Sequence, residues 1–191
     1  KWSLDRAANP NTASPVAETY LGDIIGVEDV LEGKTDSISG VTVVDVMTLE
    51  IKIDAPKAYF LAKLTYPTAY VLDKNNVESG GRNWTDSPNG TGAFSLLEYK
   101  IGERLILERN EHYHLGTPGL EKIQMNLAGG ASMAMYENDE IDITGVSLFD
   151  LERIRDPSDS LHGDLIIANP GYSISYIGFN VNEPPFDDPK F

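Results

Sequence analysis

Two short polar runs carry the residue types that metal binding and acid–base catalysis require. His112 and His114 place two imidazoles on one side of an extended chain, as a metal site would. No third ligand lies nearby in sequence, and a turn after a strand explains the pair equally well. The run 138–142 holds several carboxylates, but a general acid–base pair needs two carboxyl groups in distinct environments. A helix end that runs into a strand explains it, so we predict no metal site and no catalytic residue.

Other motifs of site chemistry are incomplete. The run 73–77 begins like a calcium-binding loop but departs from the pattern at its fifth position and lacks the closing Glu. The glycine-rich run 88–92 has no following Lys and opens a strand, so it is not a phosphate-binding loop. No serine lies in a nucleophile elbow. The residues therefore give no case for an enzyme, and we predict no cofactor.

The tyrosine segment, residues 171–183, has the pattern of a long strand that ends at a Pro-Pro pair. Successive strand side chains point to opposite faces. One face carries Ile177, Phe179 and Val181, and the other carries Tyr172, Ile174, Tyr176, Gly178 and Asn180. Tyrosines offer flat apolar area with a hydroxyl, and Gly lets another backbone approach, which suits ligand contact. A strand buried on both faces is the alternative, and the residues alone leave both open.

Short periodic runs predict the elements that must position these residues. We expect a helix at 27–31, a β-hairpin at 41–53 and a short helix at 57–64. A polar loop should fill 73–90. We expect further helices at 132–138 and 148–155, and strands at 69–72, 92–99, 103–109, 122–127, 140–143 and 165–168. Strands with short helices between them indicate a mixed α/β lobe.

The composition of the chain excludes or disfavours several classes of protein. The 191 residues carry a net charge of −15, which disfavours nucleic acid and anionic lipid because both attract clustered Lys and Arg. The absence of Cys excludes disulfides and thiolate chemistry. No apolar run approaches the ~20 residues of a membrane span. The chain begins without Met, at a run that looks internal, so we expect a piece of a longer protein.

Taken in order, several segments resemble the large extracytoplasmic solute-binding proteins of ABC importers that take up dipeptides, oligopeptides and sometimes nickel (family 5). The clearest part is Pro-Asn-Gly-Thr-Gly-Ala-Phe at 88–94, followed by the run at 102–110. The others lie at 2–6, 9–15, 45–51, 140–143, 184–188 and at Tyr-Ile-Gly-Phe-Asn, 176–180. The resemblance covers nearly the whole chain.

The resemblance implies an α/β fold: an incomplete, mixed-sheet lobe of a two-lobed, periplasmic-binding-protein-like (type II) architecture. Residues 1–37 would be the end of a small extra domain and its connection. Residues 38–191 would be part of the first ligand-binding lobe, ending at the hinge to a second lobe that this chain lacks. By analogy, the ligand-binding residues are Tyr172, Ser173, Ile174, Ser175, Tyr176, Val146 and Ser147, and the hinge residues are Asn180, Pro184 and Pro185.

The function implied is capture of dipeptides or oligopeptides outside the cytoplasmic membrane and delivery to the membrane permease of an ABC importer. The expected partners are a peptide ligand and the permease subunits, with no nucleic acid, and we expect a monomer. The expected location is the periplasm or the cell surface, with a lipid anchor in the full-length protein as one option. The alternative is the same architecture binding nickel, an oligosaccharide or another small solute.

Overall fold

The computed structural model describes residues 1–169, 171 and 174–190, and the chain divides into two compact units, Lys1–Gly129 and Gly130–Phe191. The helices are α1 (Trp2–Ala8), α2 (Ala17–Leu21), α3 (Val27–Leu31), α4 (Phe60–Lys63), α5 (Lys74–Gly80), α6 (Ser132–Glu137) and α7 (Leu148–Ile154). The strands are β1 (Val41–Asp45), β2 (Thr48–Ile51), β3 (Phe94–Lys100), β4 (Arg104–Arg109) and β5 (Lys122–Asn126). Short 3-10 turns lie at Pro10–Thr12, Pro67–Ala69, Gly81–Asp86 and His162–Asp164.

The core of the first unit lies among its short N-terminal helices. Leu4 and Ala8 recur four residues apart on α1, and Val27 and Val30 recur three apart on α3, so each pair shares one helix face. The buried cluster is Leu4, Ala8, Leu21, Ile24, Val27, Val30, Ile38, Val41 and Phe60. Helices of five to seven residues are marginal alone, so this shared burial is what stabilises them.

The predicted hairpin at 41–53 is confirmed and is joined to the core through Gly40. β1 and β2 pair antiparallel, with Val41 opposite Ile51. The Gly40 N–H donates to the Ile25 carbonyl at 2.8 Å, and the Gly40 carbonyl accepts from the Lys52 N–H at 2.8 Å. A Cβ at Gly40 would lie 2.6 Å from the Ile25 carbonyl oxygen, so only glycine permits this close approach.

The predicted strands at 92–99, 103–109 and 122–127 are also confirmed, as an antiparallel sheet in the order β3-β4-β5. Leu105 of the central strand lies opposite Tyr99 on one side and Met125 on the other. Residues directly opposite in an antiparallel pair share a face, so these three define an apolar face of the sheet. Tyr99 and Met125 are each 45% exposed, so this face is only partly covered within the unit.

Asp23 is a buried acid that holds two lysines beside the core. Asp23 is 8% exposed. Its Oδ1 lies 2.7 Å from Lys57 Nζ, and its Oδ2 lies 2.6 Å from Lys63 Nζ. Hydrogen bonding from Lys57, and then from Lys63, lowers the pKa of Asp23 below its ordinary value of 3.8, against the opposing effect of burial. A buried charge is tolerated only when it is paired in this way.

We expect Asp23→Asn to lower the melting temperature at pH 6 and to weaken the loss of stability on acidification. A depressed folded-state pKa contributes stability above the unfolded-state value of 3.8, and the contribution is lost as pH falls below it. The measurement is thermal unfolding of the full-length protein at pH 6 and pH 3. Asp36→Asn, at an exposed position, is the matched control. A wild-type pH dependence in Asp23→Asn would contradict this assignment.

Two local predictions in the first unit are wrong. Residues 73–90 are not a loop, because the Asp73 carboxylate accepts from the Asn75 and Asn76 amides and begins α5. Residues 69–72 are not a strand. The Leu72 amide donates to Ser3 Oγ at 3.0 Å, so a side chain of α1 takes the place of a neighbouring strand.

In the second unit, the helices predicted at 132–138 and 148–155 are confirmed as α6 and α7. The strands predicted at 140–143 and 165–168 are wrong, and so is the tyrosine strand over its described residues, because none of these residues is in a ladder. A strand forms only against a hydrogen-bonded neighbour, and the described part of this unit contains no strand. Ile166 is 91% exposed and Ile177 is 83% exposed, which fits extended chain without a partner.

The domain boundary predicted at 37/38 stays a prediction. The two compact units meet at 129/130 and not at 37/38. The buried cluster of the first unit includes residues on both sides of position 37/38, such as Val30 and Val41.

Candidate functional site

The loop 144–147 joins the two helical parts of the second unit and ends at the first turn of α7. The Ser147 hydroxyl accepts a hydrogen bond from the Asp150 amide at 3.3 Å, which makes Ser147 the N-cap of α7. The same hydroxyl donates to Asp150 Oδ2 at 2.6 Å. The pattern Ser-x-x-Asp is a capping motif, so the end of this loop is fixed by the start of the helix.

An apolar cavity of about 740 Å³ lies beside this loop. Its walls come from α6, the loop, α7 and the segment after the His162–Asp164 turn, and they include Met133, Val146, Leu151 and Ile166. Ligand sites are generally concave and mostly apolar, with a few polar groups that fix orientation. Val146 is 38% exposed, so part of its side chain is free to meet a ligand.

The polar edge of this apolar cavity is formed by Tyr136 and Asp164. The Tyr136 hydroxyl donates to Asp164 Oδ2 at 3.4 Å. Burial, together with the negative charge of Asp164, raises the pKa of Tyr136 above its ordinary value, so the phenol stays protonated and remains a donor. Asp142 also lines the cavity. The edge can therefore accept hydrogen bonds from, or attract, a cationic or donor group.

A second cavity of about 510 Å³ adjoins the same loop, and we call it the polar cavity because charged side chains are among those that line it. Ser147 lines it together with Glu137, Asp150 and Arg153, while Gly145 lines both cavities. Arg153 Nη1 lies 3.0 Å from Asp159 Oδ2, and Arg153 Nη2 pairs with Glu137 Oε1. The loop thus presents Val146 to the apolar cavity and Ser147 to the polar one.

The predicted ligand residues of the tyrosine segment that the structure describes do not line these cavities. Tyr172 and Ser173 lie outside the described residues. Ile174 is 87% exposed and Tyr176 is 86% exposed, and neither of these nor Ser175 lines the apolar or the polar cavity. Their role as ligand residues stays a prediction, as does that of Val146 and Ser147.

The predicted hinge residues lie in a chain of turns. The Asn180 carbonyl accepts from the Glu183 amide at 3.1 Å, and the Asn180 side chain accepts from the Asn182 amide at 3.2 Å. Pro184 and Pro185 follow at once and are joined by a cis peptide bond. The hinge role of all three residues stays a prediction.

The two histidines weighed as metal ligands, His112 and His114, are not part of a metal-binding group in the described residues. In the part of the chain that the structure describes, no three His, Cys, Asp or Glu side chains lie together as a metal site would need. His114 makes an edge contact with the Tyr113 ring, at 4.7 Å between ring centroids. None of the helices among the described residues is both long and apolar enough to span a bilayer.

The sequence interpretation missed Tyr136 and Arg153. Met133 and Tyr136, three residues apart on α6, share a helix face, and this spacing was the available signal for the cavity wall. The Tyr136–Asp164 contact joins residues 28 apart in sequence, which no local pattern reveals.

The family model of bacterial extracellular solute-binding proteins, family 5 Middle, matches residues 1–191. This chain belongs to that family. The resemblance stated from the sequence is confirmed, and so is the mixed α/β fold of a family-5 protein. The family is described by solute binding rather than by catalysis.

Two curated relatives and one solved structure show how far the likeness to family 5 extends. The periplasmic oligopeptide-binding protein OppA of Escherichia coli (strain K12) is 32% identical over 199 residues, which cover 98% of this chain and 35% of the relative. The probable deoxycholate-binding periplasmic protein YgiS of the same strain is 31% identical over 193 residues, 96% of this chain and 35% of the relative.

The solved structure of the Escherichia coli murein tripeptide binding protein MppA matches with a TM-score of 0.72 and 31% identity, covering 82% of this chain and 32% of that one. This chain therefore spans about a third of the length of these relatives.

Proposed function

We propose that this chain is part of the substrate-binding component of an ABC importer, which captures dipeptides or oligopeptides outside the cytoplasmic membrane and delivers them to the membrane permease. The observation that carries the proposal is the 32% identity to an oligopeptide-binding protein across 98% of the chain. The fold likeness to a murein tripeptide binding protein, at 31% identity, supports the same ligand class. We place the protein in the periplasm or at the cell surface, as a monomer.

In the proposed mechanism, the intact protein closes around an extended peptide by a hinge motion at Asn180, Pro184 and Pro185. Ligand favours the closed state to the extent that it binds that state more tightly. The permease subunits then recognise the closed form. Binding through backbone hydrogen bonds would leave the peptide's side chains free to vary.

The loop 144–147 and the tyrosine segment form the ligand wall in this proposal. The apolar cavity beside Val146 supports the assignment, because it can take a bulky apolar side chain and has the Tyr136 and Asp164 groups at its edge. The exposed ring of Tyr176 offers stacking area for ligand groups of varied chemistry.

A second candidate function is capture of a small amphipathic solute by the same architecture. The 31% identity to a probable deoxycholate-binding protein across 96% of the chain favours it. The apolar cavity would suit the apolar body of such a solute, and the carboxylates at its edge would accept hydrogen bonds from the solute's hydroxyl groups. Nickel and oligosaccharides remain the further alternatives within this architecture.

The test is native mass spectrometry of the gently purified full-length protein, repeated under denaturing conditions. We expect a bound mass that leaves on denaturation and fragments as a short peptide. A sterol-type adduct, nickel or a sugar would replace peptide capture by the corresponding alternative. If the protein purifies without ligand, calorimetric titration with a tripeptide mixture and with deoxycholate decides between the two candidates, and binding of neither overturns both.

A further inference from the structure

Arg153 is a cation that joins three parts of the second unit. It lies on α7 and pairs with Glu137 at the end of α6 and with Asp159 in the turns after α7. The planar guanidinium presents several N–H donors in a fixed geometry, so one Arg can hold two carboxylates where a Lys would hold them less rigidly.

Few other cations in the second unit are available to pair with these two carboxylates. Residues 130–191 contain three Lys or Arg residues, namely Arg153, Arg155 and Lys190, among many acids. The Asp159 side chain is 11% exposed, so its charge is largely removed from water and favours a fixed partner. Hydrogen bonding to Glu137, together with the nearby charge of Asp159, raises the pKa of Arg153 above its ordinary value.

The ion pairs of Arg153 lie next to the loop 144–147, because residues of both line the polar cavity. Arg153, Glu137 and Ser147 line the same polar cavity, and Ser147 is tied to α7 through Asp150. The loop end is therefore fixed to α7, and Arg153 fixes α7 to α6. Without Arg153, α7 keeps its N-cap but loses this link to the helix before the loop.

We propose that Arg153 is a positioning residue for the loop 144–147, holding Val146 in place for the ligand without contacting the ligand itself. The inference rests on the proposed function, which assigns this loop to the ligand wall. Binding to a loop that is already ordered costs less conformational entropy than binding to one that must first be ordered. The guanidinium is already occupied by two carboxylates, which argues against a direct role in holding the ligand.

The first arm of the test needs no ligand. Hydrogen exchange of the full-length protein is compared between wild type and Arg153→Met, which keeps an unbranched apolar stem and removes the charge. We expect the Asp150 and Leu151 amides, which donate to the Ser147 hydroxyl and carbonyl, to exchange roughly threefold faster in the variant, because local opening at the end of the loop becomes easier, while α1 is unchanged. Unchanged exchange at these two amides overturns the inference, whatever the protein binds.

The second arm measures affinity for the tripeptide Ala-Phe-Ala by calorimetry, at a temperature at which all variants are folded. We expect Arg153→Met to bind roughly fivefold more weakly, the scale of two partly exposed ion pairs. Glu137→Gln should lose part of that affinity. The double variant Glu137→Gln/Arg153→Met should bind no more weakly than Arg153→Met alone, because both substitutions break the same ion pair. Glu152→Gln, an exposed position on the same helix, is the matched control and should bind like wild type.

The outcomes separate this inference from the proposed function. Additive losses from Glu137→Gln and Arg153→Met would mean that Arg153 meets the ligand directly, and they overturn the positioning role. Normal affinity in Arg153→Met also overturns it. If the wild type binds no peptide while exchange of the Asp150 and Leu151 amides still rises in Arg153→Met, peptide capture fails and Arg153 keeps only its role in ordering the end of the loop.

Discussion

Alanine at both Tyr172 and Tyr176 weakens peptide binding by the full-length protein by roughly tenfold, since an aromatic contact contributes about 0.5–1.5 kcal/mol and tenfold corresponds to about 1.4 kcal/mol. Tyr176 is 86% exposed, so its ring has free surface for a ligand. Tyr172 lies outside the described residues and is included on the family analogy alone. The measurement is calorimetric titration with the peptide recovered from the native protein.

A control separates ligand contact from a general effect of losing an exposed ring. Tyr70→Ala removes a ring that is 54% exposed and lies in the first unit, away from the tyrosine segment in sequence, so it should bind like wild type. Tyr176→Phe keeps the stacking area and loses the hydroxyl, which tells the two contributions apart. Wild-type affinity in the double alanine variant would remove both tyrosines from the site.

The hairpins of this chain could be predicted from sequence because their determinants are local. Alternating residues in 48–53 specify one face of β2, and a short turn fixes its pairing with β1. The β3–β4 pair joins across a short turn near Gly102, whose positive φ of 72° suits glycine. In these cases neighbours in sequence are also neighbours in the sheet.

The strands of the second unit could not be predicted correctly because apolar alternation does not supply a partner. The segments 140–143 and 165–168 have the side chains of strands, yet their described backbone forms no ladder. The pattern shows which residues favour an extended chain, and pairing depends on which other segments come alongside. The opposite error occurred at 73–90, where the Asp73 cap begins a helix in a run of poor helix formers.

In the candidate site, too, local features could be predicted from sequence and tertiary contacts could not. Ser147 was predicted as a ligand residue from family analogy, while its spacing to Asp150 already carried the signal of a helix N-cap. Val146 could be placed on the loop from sequence, but its cavity depends on α6 and on the segment after α7. The Arg153–Glu137 pair joins residues 16 apart, so only the tertiary structure reveals it.

Leu21→Ala destabilises the first unit by about 2–5 kcal/mol, the range for truncating a large buried aliphatic side chain. Leu21 is 0% exposed and is among the largest fully buried side chains of the described residues. The cost exceeds the transfer of the lost methyl groups, because short helices cannot collapse around the cavity without losing their packing on one another. Urea denaturation of the full-length protein, followed by circular dichroism, measures the change.

Leu61→Ala makes the same chemical change on α4, at a side chain that is 75% exposed, and should alter stability by no more than about 0.5 kcal/mol. The difference between the two variants isolates burial from helix propensity, since both replace Leu by Ala within a helix. Equal losses in the two variants would mean that the N-terminal helices are not stabilised by the cluster around Leu21. Their stability would then have to come from contacts outside this core.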